Sequence, residues 1–170
     1  MKIGGHGLRD HIRLLMPLFG LIAAVWLLRM VLDKAGAPPT VVRIVSVTVA
    51  GAASILLAVL LIHFKAFGSY ASVVVSAFLL ELWSQLLICL AIAFSAITGT
   101  TNIYSAPEYS FHRAVGHRVA RGPLVHIFGH LTGALGFGTL FGAAMGCLLL
   151  WLLRRLVPVG PGKTHVKSDL

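Results

Sequence analysis

Residues 71–97 read ASVVVSAFLLELWSQLLICLAIAFSAI, with one charged side chain, Glu81, near the middle. An α-helix rises about 1.5 Å per residue, so this run is long enough to cross a hydrocarbon layer of about 30 Å with tilt. A carboxyl group near the centre of such a span is costly to place there and is a functional-site candidate by default. Ser84 and Gln85 follow at i+3 and i+4, on the same helix face.

Three further apolar runs flank this one, at 14–32, 44–62 and 123–153. They predict an all-α integral membrane protein, a four-transmembrane-helix bundle with short loops and one longer loop before the last helix. The domain expectation is a single unit over 1–156 and a mobile polar tail over 157–170. The totals agree: the 170 residues are 58% hydrophobic and 11% charged, with mean hydropathy +0.92. An ordinary soluble domain carries roughly 25% charged residues. Pro17 is expected in the first turn of its helix, where a missing N–H costs little. Asp33-Lys34 follows the first run where a cleaved leader would need small residues, so that run is expected to be retained.

The formal net charge is +9. Its basic residues lie at the ends of the apolar runs, which points to lipid headgroups rather than nucleic acid. Lys2, Arg9, Arg13, Lys65, Arg154, Arg155, Lys163 and Lys167 fall on one side of the expected bundle, outnumbering those on the other. That bias predicts cytoplasmic termini. Cys89 and Cys147 both lie past the middle of antiparallel spans, hence toward opposite membrane faces, too far apart for a disulfide.

The last run is the most patterned. Gly129 and Gly133 are four apart, and so are Gly138, Gly142 and Gly146. Small residues at this interval let another backbone approach closely. The expected neighbour is the small face of the second run, Gly51, Ser54 and Ala58, with Glu81 near that contact. A partner helix from another chain is the alternative. No Lys or Arg is expected at the depth of Glu81, whereas Ser54 and Thr139 are. A neutral Glu81 donating to Ser, Thr or a carbonyl is then a structural latch; proton or cation handling is the alternative.

Histidines cluster before and within the last run. His126 and His130 are i, i+4, a usable metal-ligand spacing. Ile127 stands where a zinc protease needs a glutamate base. His112, His117 and Glu108 lie in the loop before it, Thr98 to Gly122, which has room for a short interfacial helix. His11 and His63 sit at helix ends, an unfavourable placement for a haem between helices. Phe78, Trp83 and Phe94 read as packing or lipid-facing residues. Nothing matches G-x-S-x-G, a phosphate-binding loop or C-x-x-C. No cofactor is expected. The leading expectation is a non-catalytic membrane protein that packs into an assembly through its glycine face. The rivals are a small proton-coupled transporter or channel using Glu81, and a histidine-metal membrane enzyme.

Overall fold

The computed structural model describes residues 2–105, 111–114, 117–120 and 122–157, with the backbone alone at 111–114 and 117–120. Among the described residues the structure is 81% helix, with four helices long and apolar enough to span a membrane.

The N-terminus forms a hairpin that the apolar pattern does not announce. β1 (Lys2–Ile3) pairs antiparallel with β2 (His6–Gly7) across Gly4-Gly5, whose φ angles are +61° and +90°. A two-residue hairpin turn of this kind needs positive φ at both central positions, which glycine accepts without strain. Helix α1 (Leu8–Lys34) then starts earlier than the apolar run. The Asp10 carboxylate accepts from the Gly7 N–H at 2.9 Å and anchors the first turn. Pro17 consequently lies inside the helix, not in its first turn as the sequence suggested. Its missing N–H leaves the Arg13 carbonyl without the usual intrahelical donor.

Gly36, at φ +71°, stops α1; the Gly36 and Ala37 N–H groups return to Asp33 and Leu32. α2 (Pro39–Ile44) is short, and the chain breaks at Val45 and Ser46 before α3 (Val47–Phe64). Helix α4 (Tyr70–Thr98) packs against each of the other long helices and is the central element. It ends at Gly99, φ +69°. The long connection carries no helix among its described residues. It holds a two-stranded antiparallel hairpin, β3 (Phe111–Ala114) and β4 (His117–Ala120). The last span is composite: α5 (Pro123–Gly129), a π turn (His130–Ala134) and α6 (Leu135–Leu156). The tail beyond residue 157 lies outside the described residues.

Both ends of the bundle are tied. At one, the Asp33 carboxylate accepts from the Ile103 N–H at 3.0 Å, Lys34 donates to the Thr101 carbonyl, and Arg29 lies over the Tyr104 ring. Burial pushes the Tyr104 phenol up to about 12 against the pull of the Arg29 cation, so it stays neutral at physiological pH. At the other, the N-terminal hairpin, the α3–α4 turn and the end of α6 converge. His6 stacks on Phe67, Arg154 donates to the Gly68 carbonyl, and His63 donates to the Val157 carbonyl at 2.8 Å.

The glycines of the last span divide into two sets. A Cβ on Gly146 would lie 2.8 Å from Val73 and 3.2 Å from Val59. One on Gly142 would lie 2.6 Å from the tip of Ile55. Gly133 and Gly136, by contrast, face open space. The last span packs on α3, but the residues in contact differ from the expected ones: α6 lies over Ile55 and Val59 of α3 and Val73 of α4, while Gly51 of α3 receives Ser84 of α4. The reason is that α4 occupies the centre, and its own polar face takes up the room that Gly51 leaves.

Candidate functional site

The central helix carries its polar residues on one inward strip. Glu81, Ser84 and Gln85 are all buried, at 8%, 1% and 4% exposure. Ser84 donates to the Leu80 carbonyl at 3.0 Å, so its hydroxyl is spent within its own helix. Gln85 Nε2 donates to Glu81 Oε1 at 2.6 Å, one helical turn away. The carboxyl therefore has its partner on α4 itself. This replaces the expected latch: the hydroxyls of Ser54 and Thr139 are buried and have no hydrogen-bond partner among the described residues. The i, i+4 geometry puts the Gln85 amide within reach of the carboxyl whatever the neighbouring helices do.

Gly138 makes the space for the carboxyl. A Cβ there would lie 2.5 Å from Cδ and Oε1 of Glu81. The last span also supplies the third member of the polar chain. His130 Nδ1 lies 2.6 Å from Gln85 Oε1. With the amide nitrogen committed to Glu81, the amide oxygen can only accept, so His130 is a neutral imidazole protonated at Nδ1 or an imidazolium. His126 is buried beside it, with the two ring centroids 5.1 Å apart.

His130 opens the π turn, in which the Leu135 N–H reaches back five residues to the His130 carbonyl. Such a turn takes in one residue more than α-helical register and re-phases the two parts of the helix. It directs His130 toward α4 while Gly138, Gly142 and Gly146 keep contact with α3 and α4. The sequence carries no direct signal for it. Gly129 precedes it and Gly133 lies within it, and both are compatible with it.

A groove of about 460 Å³ passes over this chain. Glu81, Gln85 and His130 are its polar lining, with Thr48 at the α3 side; Ile55, Phe137 and Phe141 belong to its apolar walls. Phe137 and Phe141 are stacked, centroids 6.0 Å apart, and both are well exposed. The groove is thus bounded by the outer surface of the bundle on one side and by the polar strip of α4 on the other.

The chain Glu81–Gln85–His130 links the charge state of one group to the hydrogen-bond polarity of another. An ionised Glu81 accepts from Nε2, and Oε1 accepts from His130. A protonated Glu81 that donates its proton requires the amide to turn over; Nε2 then donates to His130 Nδ1, and the imidazole must carry its proton at Nε2. A side-chain amide does not pass a proton on readily. The arrangement is a polarity switch rather than a proton wire.

The other sequence candidates fall elsewhere. Among the described residues, no group of three His, Cys, Asp or Glu comes together that could hold a metal ion. The side chains of His112 and His117, and Glu108 entirely, lie outside the described residues. His11 Nδ1 donates to the Gly7 carbonyl at 2.9 Å, and His63 is held by Val157, each serving a helix end. Cys89 and Cys147 are free thiols. Trp83 donates to the Phe19 carbonyl, while Phe78 and Phe94 are exposed on the outer surface. Compared with known protein families, curated proteins and solved structures, the chain matches none of them.

Proposed function

We propose that this chain is a multi-pass integral membrane protein, a four-helix transmembrane bundle with both termini cytoplasmic, that acts as a small proton-linked carrier. The observation that supports this reading is the buried chain of Glu81, Gln85 and His130 lining an apolar groove. An intramembrane carboxyl that opens on a cavity and is joined to a histidine on another helix is the arrangement by which protonation and ligand occupancy become linked. The carboxyl belongs to a groove rather than to a sealed contact, which favours the carrier over the structural latch.

The test is a proton-movement measurement in liposomes. The reconstituted protein, under an imposed pH gradient, is challenged with small amphipathic solutes of anionic, neutral and cationic type. At least one type should collapse the gradient faster through the native protein than through Glu81→Gln, by about tenfold or more. Gln at 81 keeps an acceptor for Gln85 and should keep the fold. If no solute distinguishes the two proteins, the carrier reading fails.

A second reading, the accessory or assembly subunit, has its own support. The last span is the least buried of the four, 17% against 56% for α4. Gly133 and Gly136 face open space beside the exposed Phe137 and Leu140. Gly138, Gly142 and Gly146 are occupied inside the bundle, so association with another helix would use Gly133. On this reading Gly133→Leu should abolish co-purification of a partner or a second copy in mild detergent while leaving the melting temperature within a few degrees. An unchanged complex would remove this reading.

A further inference from the structure

The groove over Glu81 has a chemical bias that the carrier reading alone does not specify. Its walls are apolar and partly aromatic, and Phe137, Phe141, Met145 and Leu56 around it are exposed on the outer surface. Its approach is therefore sideways, between α3 and α6, from the phase that surrounds the bundle. Its polar floor holds one carboxyl group whose hydrogen-bond partner is the uncharged Gln85 amide.

The groups around Glu81 supply no counter-charge among the described residues. From α3 the groove receives Thr48 and Ala52, and an ideal Cβ on Gly51 would lie 3.8 Å from the second carboxyl oxygen. From α1, the contact near this depth is Phe19 against Trp83. From the last span come Gly138 and, through Gln85, His130. On α4 itself the next titratable group is Cys89, two turns away and directed at the Ile127 carbonyl. A carboxylate in apolar surroundings without a cation lacks the partner that its ionised form requires.

We propose that the groove takes a lipophilic organic cation, an amine or onium ion with an apolar or aromatic body, that approaches laterally and pairs with the Glu81 carboxylate. The inference rests on the carrier reading and adds the ligand class to it. The cation's charge supplies the missing partner, and the stacked Phe137 and Phe141 rings offer faces to a cation and to an aromatic body alike. A proton and the cation then compete for one carboxylate. Binding of the cation expels the proton, and acidification expels the cation.

The probe is tetraphenylphosphonium, measured by equilibrium binding to the full-length protein in mild detergent. Two controls accompany it: anionic tetraphenylborate, which has the same shape, and neutral triphenylphosphine oxide, in which an oxygen replaces one phenyl group. The expected result is saturable binding of the phosphonium alone, weakening toward a tenfold loss per pH unit once Glu81 is protonated. Glu81→Gln should weaken it at least tenfold. Ala52→Phe fills the groove from an exposed position on α3 and should block binding without disturbing the core, which keeps the test decisive if Glu81→Gln misfolds. Equal binding of the neutral oxide or the borate, retention in Glu81→Gln or in Ala52→Phe, or no saturable phosphonium binding would each overturn the cation assignment. Solute-driven, Glu81-dependent proton movement with neutral or anionic solutes would overturn it too while leaving the carrier reading in place. Proton movement independent of Glu81 would remove both.

Discussion

Gln85→Leu should be the most damaging single substitution in the centre of the bundle. Gln85 is nearly fully buried and holds two partners at once, Glu81 and His130, each at 2.6 Å. Leucine fills much the same volume and offers neither a donor nor an acceptor. A buried polar group stripped of its partner costs about 1–3 kcal/mol, and interhelical hydrogen bonds in membranes average nearer 0.6 kcal/mol. With a carboxyl and an imidazole both stranded, a loss of roughly 2–4 kcal/mol is expected. Denaturation in detergent measures it. A second variant separates stranding from packing: adding Glu81→Leu to Gln85→Leu removes the stranded carboxyl and should recover part of the loss. Simple addition of the two single losses would show that Glu81 does not depend on Gln85.

The second large effect lies along the glycines of the last span, where the same chemical change should have opposite signs at different positions. Gly146→Ala would drive a methyl group into Val73 and Val59, both almost fully buried and stiff at χ1. Overpacking of this kind costs about 1–3 kcal/mol. Gly142→Ala meets the end of the Ile55 side chain, which can turn aside, and should cost less. Gly133→Ala meets nothing and should stabilise the helix by up to about 1 kcal/mol. Melting curves of the three variants should rank 133 above 142 above 146. If Gly146→Ala is as stable as Gly133→Ala, α6 does not pack on α3 and α4 as described.

Much of this architecture is written locally in the chain. Apolar run length and the punctuation at Gly36, Pro38-Pro39, Gly68 and Gly99 carry the four long helices, because such signals act within a few residues. The hairpin at Gly4-Gly5 is legible too, because paired glycines favour a two-residue turn. Pro17 lies inside its helix because Gly7 and Asp10 begin α1 well ahead of the apolar run.

The site was legible only in part. Centring each span in the bilayer put Thr139 level with Glu81, and its neighbour Gly138 does meet the carboxyl. On the same basis His130 lies about two turns nearer the surface than Glu81. It reaches Gln85 because the π turn redirects it and because two long side chains meet halfway. A change of helical register leaves no mark in hydropathy. Which helix Gly51 of α3 would meet was equally hidden, since it is as accommodating to Ser84 of α4 as to a glycine of α6.

The order in which the chain is made gives the Glu81–Gln85 bond another consequence. On the proposed membrane reading, α4 is complete before residue 123 exists during synthesis, so an insertion intermediate with three helices would hold Glu81 without Gly138 beside it and without His130. The donor on its own helix travels with the carboxyl and needs no later segment. The last helix then arrives as a keystone, and its glycines close over a polar centre that its predecessor has already made tolerable to lipid.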